Sequence, residues 1–122
     1  MGQHPLNLAL RFVLEVIALI AVGYWGWTYA TGALRYVLAI GGPLLAAVLW
    51  ATFRVPGDAS ASGEAPVPVP GWARLLLELA LFGFATWGLY TSGATQAALI
   101  FGGVVVAHYA ISYDRVAWLL RQ

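Results

Sequence analysis

Long apolar runs separated by short polar breaks set the pattern of this chain. A membrane-spanning helix needs about 20 consecutive, mostly apolar residues. Four stretches reach that length: Leu6 to Tyr29, Leu34 to Phe53, Trp72 to Tyr90, and Ala94 to Tyr113, with a pattern that allows helix onward to Leu120. Thr31-Gly32 and Ser92-Gly93 are turn dipeptides, so the stretches pair into two tight helical hairpins. Between the hairpins lies Val55 to Gly71, with Pro56-Gly57, a run rich in Ser, Gly and Ala, and then Pro66-Val67-Pro68-Val69-Pro70. Alternating prolines exclude helix and favour extended polyproline geometry, so this segment reads as a semi-rigid linker. The pattern therefore predicts an all-α integral membrane four-helix bundle in a single transmembrane domain, residues 1–122. Repeat 1 covers about 6–54, the linker about 55–71 and repeat 2 about 72–122.

Composition sharpens this. The 122 residues are 61% hydrophobic and only 9% charged, against roughly 25% charged in an ordinary soluble domain. So few charges leave apolar surface that lipid, not water, would cover. The net charge of +1 offers no basic face for nucleic acid. The absence of cysteine removes disulfides, thiolate metal ligands and cysteine nucleophiles together. A cleaved signal peptide fits the N-terminus poorly. Its basic region is weak, Glu15 interrupts the run from Phe12 to Val22, and an aromatic cluster follows in place of a cleavage site.

Arginine placement predicts the orientation. If both termini and the linker share one side, that side holds Arg11, Arg54, Arg74, Arg115 and Arg121, and the other holds Arg35 alone. Positive residues stay inside, so the expectation is a cell-membrane, multi-pass protein with both termini cytoplasmic. Aromatic residues mark the two interfaces: Tyr24, Trp25, Trp27, Tyr29, Trp87 and Tyr90 outside, Trp50, Trp72, Tyr113 and Trp118 inside. The halves also echo each other. Arg11-Phe12-Val13-Leu14-Glu15 matches Arg74-Leu75-Leu76-Leu77-Glu78, Thr31-Gly32-Ala33 matches Ser92-Gly93-Ala94, Gly41-Gly42 matches Gly102-Gly103, and Arg54 matches Arg115. Each half crosses an even number of times, so the repeats should run parallel about an axis along the membrane normal.

Three segments resemble the YrdB-like family of small bacterial membrane proteins. The first is Asn7-Leu8-Ala9-Leu10-Arg11-Phe12-Val13-Leu14-Glu15 with Gly23-Tyr24-Trp25-Gly26-Trp27. The second is Pro43-Leu44-Leu45-Ala46-Ala47-Val48-Leu49-Trp50, and the third is Arg74-Leu75-Leu76-Leu77-Glu78-Leu79 with Phe82. The resemblance covers almost all of the chain except the linker. It implies a four-span membrane protein of unknown function and supplies no catalytic residues. It also implies an Asn in many relatives where this chain has His108, which would make any role of His108 particular to this protein.

The candidate chemistry is a polar centre near the cytoplasmic side. Arg11 with Glu15, and Arg74 with Glu78, are i, i+4 pairs on one helix face. The arginines can snorkel to water, while each carboxylate lies about 6 Å deeper on a helix rising 1.5 Å per residue. A carboxylate there must be paired, hydrogen-bonded, neutral or open to water. In the fourth stretch His108, Ser112 and Arg115 share a face, with His108 about 10 Å deeper than Arg115. Glu15, Glu78 and His108, fringed by Arg11, Arg74, Arg54, Arg115 and Ser112, form the expected centre. A haem would need a second ligand besides His108, and only His4 remains, at the chain's edge. Zinc spacing such as His-x-x-x-His is absent. No cofactor and no metal is expected, and no nucleophile–base pair suggests an enzyme. Gly41-Gly42-Pro43 and Gly102-Gly103 should allow close helix approach, with Pro43 kinking the second helix. Gly23-x-x-Gly26 is too weak a pattern to mark a dimer. Two functions remain open. One is a structural or accessory membrane protein with a buried Arg/Glu network. The other is a small transporter or channel subunit using the Glu/His/Arg site. The bilayer is the expected partner; a homo-oligomer fits either reading, and no other protein partner is specified.

Overall fold

The computed structural model describes residues 5–56 and 66–122, so His4 and most of the linker lie outside the described residues. The fold is helical: α1 Pro5–Tyr29, α2 Gly32–Thr52, α3 Gly71–Thr91, α4 Thr95–Ile111 and α5 Tyr113–Leu120. Three of these helices are long and apolar enough to cross a membrane, or four spans if α4 and α5 count as one bent unit.

Both hairpin turns are built on a left-handed glycine. Gly32 has φ +61° and Gly93 has φ +89°, a region that costs a side-chain-bearing residue far more than glycine. At the second turn the Ala94 N–H donates to Leu89 O (3.0 Å) and the Gly93 N–H to Tyr90 O (3.2 Å), the paired bonds that close a helix on a Schellman turn. At the first turn Arg35 does the capping. Its Nε donates to Trp27 O at 2.9 Å and Ala30 O at 3.3 Å, and its guanidinium lies 4.5 Å from the centre of the Trp27 ring. Thr28 Oγ1 donates to Ser92 Oγ at 2.8 Å, so the two turns meet at one end of the molecule and the hairpins point the same way.

Helices α1 and α3 form the central pair. α2 packs chiefly on α1, and α4 and α5 pack chiefly on α3. Leu14, Ala18, Ala21, Val22, Phe82, Ala85, Phe101 and Val105 make the core. The Phe82 ring meets Trp50 edge-on at 5.3 Å and lies 6.1 Å from both Phe101 and Tyr109. The α1–α2 contact is close because of Gly26, where a Cβ would come within 2.6 Å of the Leu38 carbonyl carbon. Gly23 likewise faces Ala39 and Pro43, so the Gly23-x-x-Gly26 pattern serves packing within the chain. The helix α2 continues through Pro43 and buries only Ala46 fully.

Two features depart from the sequence reading. The fourth stretch is not one straight helix to Leu120: it breaks at Ser112, and α5 turns away from α4 by 70°. Ser112 O is shared by the N–H groups of Arg115 (2.9 Å) and Val116 (3.1 Å), which starts the new helix. The turn carries Arg115 and Leu119 into the protein interior. The linker's proline run is also not wholly free-standing. Val67–Pro68 pairs in parallel with Phe53–Arg54, and Val69 N–H donates to Arg54 O at 3.1 Å. Proline φ suits an extended strand, and the donor Pro68 lacks is supplied by the next residue.

Candidate functional site

Glu78 stands at the middle of the end opposite the hairpin turns. It occupies the second turn of α3 and is fully buried. Four groups from four elements reach its carboxylate. Within α3, Arg74 Nε donates to Oε2 at 2.9 Å. From α5, Arg115 approaches with both ends of its fork, NH1 to Oε1 at 3.0 Å and NH2 to Oε2 at 2.9 Å. From α1, Arg11 NH2 lies 2.6 Å from Oε2. From α4, the Tyr109 hydroxyl donates to Oε1 at 2.8 Å. Two-point guanidinium–carboxylate contacts are the strong and directional kind. The 70° turn after α4 is what aims the Arg115 fork at Glu78.

Arg74 has a second task. Its NH1 donates to Trp50 O at 2.6 Å and Phe53 O at 2.7 Å, and its guanidinium sits 4.8 Å from the centre of the Trp50 ring. These carbonyls close the C-terminal end of α2, where a positive charge is favoured by the helix dipole. One side chain thus ties α2 to α3, which otherwise meet little.

Glu15 is not the equal of Glu78. Its Oε1 lies 3.3 Å from Arg11 Nε, and its side chain keeps 21% of its surface exposed. It borders a cleft of about 150 Å³ between α1 and α2, lined also by Phe12, Val16, Leu19, Ala46 and Trp50. Arg11 stands between the two carboxylates, but none of its three buried side-chain nitrogens has hydrogen-bond alignment with an acceptor. Its Nε and NH2 are held by charge at ion-pair distance.

Of the other expected residues, Ser112 accepts a 2.6 Å hydrogen bond from Asn7 Nδ2, which joins the start of α1 to the end of α4. His108 is 1% exposed, and neither ring nitrogen has a protein partner. Its ring lies edge-on to Tyr109 at 5.5 Å. Arg54 lies on β1 and is not among the partners of Glu78. The structure therefore brings Arg11, Arg74, Arg115 and Glu78 into direct contact, sets Glu15 and His108 at the margin, and leaves Arg54 at the rim. Sequence reasoning missed Tyr109 and Asn7. A tyrosine deep in a span, away from the aromatic belts, was the available signal for Tyr109. Asn7 lies one turn before Arg11 on the same face, just as Ser112 lies one turn after His108. Among the described residues, no group of three or more His, Asp or Glu side chains is placed to hold a metal ion.

Long apolar helices gathered around a buried, fully contacted carboxylate define a helical protein with three or four candidate membrane spans. The chain belongs to the family described as "Protein of unknown function (DUF2568)", which matches residues 9–106. It is 40% identical over 116 residues to the uncharacterized protein YrdB of Bacillus subtilis (strain 168), covering 95% of this chain and 94% of that relative. No solved structure matches.

Proposed function

We propose that this protein is a structural or accessory component of the cell membrane, crossing it four times with both termini in the cytoplasm. The observation that carries this reading is Glu78: fully buried and contacted by three arginines and a tyrosine. A carboxylate held from four elements acts as a tie between helices. In an apolar solvent, where helices gain little by burying apolar surface against each other, such polar ties set which helices pack and in what register. The common direction of the two hairpins and the placement of both Arg-x-x-x-Glu pairs at one end support a duplicated unit. On this reading the protein is not an enzyme, its partner is the bilayer, and nucleic acid plays no part.

A second reading, a small transporter or channel subunit, is supported by one observation. Glu15 is part-exposed beside the α1–α2 cleft and is held less closely than Glu78. One experiment separates the two. Purified protein carrying Glu15→Gln, which keeps a hydrogen-bonding side chain, is reconstituted into liposomes beside the native protein. If the protein is structural, neither preparation conducts protons or ions above empty liposomes, and cells carrying the variant keep the native phenotype. Flux through the native protein that is lost in a folded Glu15→Gln variant overturns the structural reading.

A further inference from the structure

We infer that α5 is an interfacial helix that lies flat at the cytoplasmic boundary of the bilayer, with its Tyr113, Ala117 and Leu120 flank set into lipid. The inference rests on the membrane-spanning reading above and goes beyond it, because it assigns a lipid contact to a helix of eight residues, too short to span. Depth comes first. Helix α4 begins just after the Ser92-Gly93 turn and has 17 residues, which at about 1.5 Å per residue cover roughly 26 Å. The hydrocarbon core is about 30 Å thick. A chain that enters α4 at one boundary therefore reaches Ser112 at or just inside the other. There it turns by 70°, and with α4 crossing the bilayer that turn lays α5 nearly along the membrane plane.

Helix α5 presents three faces, and each asks for a different surrounding. Arg115 and Leu119, at i and i+4, are buried against the protein. Tyr113, Ala117 and Leu120, at i, i+4 and i+7, form an exposed apolar flank, with Tyr113 72% and Leu120 62% exposed. Asp114 and Arg121, also at i and i+7, form an exposed polar flank beside it. In water the apolar flank would be left wet. Deep in hydrocarbon the polar flank would carry charge into lipid. A helix lying in the interface suits all three faces. Tyrosine favours that level, since its ring is apolar and its hydroxyl polar. Trp72 marks the same level. It is 59% exposed and follows Gly71, the residue against which Leu119 packs.

Continuity names the occupant. Val106 and Ile111 are exposed on α4 before the break, and Tyr113 and Leu120 after it, so the lipid that covers the span meets α5 next. A second copy of the chain fits less well. A stable protein–protein interface takes about 800 Å² from each partner, far more than three side chains offer, whereas lipid needs no matching shape. The opposite face of α5 carries the Arg115 fork to Glu78, so lipid on one side and the ion pair on the other hold the helix in place.

The test places single cysteines, which the native chain lacks, in the whole protein: Tyr113→Cys, Ala117→Cys and Leu120→Cys on the apolar flank, Arg121→Cys on the polar one, and Ile40→Cys within α2 as the control. All five positions are exposed, so a label displaces no buried side chain, and three flank positions keep the answer if one variant misfolds. Each variant is spin-labelled in vesicles of phosphatidylcholine and phosphatidylglycerol. Power-saturation electron paramagnetic resonance then compares collisions with oxygen, which concentrates in lipid, and with a nickel chelate, which stays in water. The Ile40 label should meet oxygen and not nickel. The three flank labels should also favour oxygen, at a depth of about 5–10 Å, while the Arg121 label favours nickel. Flank labels as open to nickel as the Arg121 label, with the Ile40 label still in lipid, overturn the inference and leave the spanning reading standing. Flank labels shielded from both reagents overturn it too, because protein then covers the flank. Nickel contact at the Ile40 label overturns the spanning reading and this inference with it.

Discussion

Arg11 lies closer to Glu78 on the neighbouring helix than to Glu15 on its own: NH2 to Oε2 is 2.6 Å across the α1–α3 contact, against 3.3 Å from Nε to Glu15. The helix-local spacing pairs Arg11 with Glu15, but packing gives the arginine's nearer contact to Glu78. A fully buried carboxylate must draw every available charge to itself, because water contributes nothing there. A part-exposed one need not.

This ranking predicts unequal mutational costs. Removing one partner of a buried ion pair costs about 3–5 kcal/mol, since the charges left behind stay unpaired. Glu78→Ala strands three arginines and should lower stability in detergent by that amount or abolish folding. Glu15→Ala removes a carboxylate that keeps partial exposure and leaves Arg11 its nearer contact with Glu78, so its cost should be clearly smaller. Chemical denaturation of both variants in one detergent checks this. Equal losses would show that the two glutamates carry equal weight.

Tyr109→Phe isolates one contact. It deletes the hydroxyl that donates to Glu78 Oε1 at 2.8 Å and leaves the ring against Phe82 and His108. A hydrogen bond to a charged group is worth about 1.5–3 kcal/mol. The variant should fold, keep its helicity and lose stability in that range. An unchanged unfolding midpoint would mean that the three arginines already satisfy the carboxylate.

The sequence carried much of this because apolar runs and i, i+4 spacing are local properties. Four runs of spanning length, the two glycine turns and the Arg-x-x-x-Glu pairs can be read without knowing which helix meets which. The asymmetry between Glu15 and Glu78 could not be read that way. The sequence match of Arg54 with Arg115 suggested equivalent roles, yet after α2 the chain enters β1, and after α4 it bends into α5. Only the second path delivers an arginine fork to a glutamate. The break at Ser112 was hidden for a related reason. Residues on both sides are compatible with helix, and the bend is fixed by tertiary contacts of Asn7, Arg115 and Leu119. The paired glycines split likewise: Gly42 faces Val22 and Gly102 faces Thr86, while Gly41 and Gly103 face open space.

The seating of α5 rests on Gly71. A Cβ at that position would overlap the Leu119 carbonyl group, and Leu119 itself is fully buried. Backbone cannot yield as a side-chain tip does, so Gly71→Ala should lift α5 and withdraw Arg115 from Glu78. Hydrogen exchange should then speed up across Tyr113–Leu120 while the centres of α1 and α3 stay protected. Unchanged exchange in α5 would show that the α3–α5 contact tolerates a methyl group.

Topology is the remaining prediction, and it rests on where the structure places each arginine. Arg11, Arg74 and Arg115 gather at Glu78, Arg54 lies on the strand beside them, and Arg121 follows α5 at the same end. Arg35 alone stands at the hairpin-turn end, where it caps α1. Arginine near span ends resists translocation, so the arginine-rich end should stay in the cytoplasm. The three arginines on Glu78 are partly neutralised in the folded protein, but orientation is set during insertion, before those contacts form, and acidic residues count for little in that choice. Thr31 and Gln122 are both exposed and lie toward opposite ends. With no native cysteine to confuse the signal, Thr31→Cys should react with a membrane-impermeant maleimide in intact cells, and Gln122→Cys only after permeabilisation. The reverse labelling pattern would invert the orientation, and equal labelling of both would show that the chain inserts both ways.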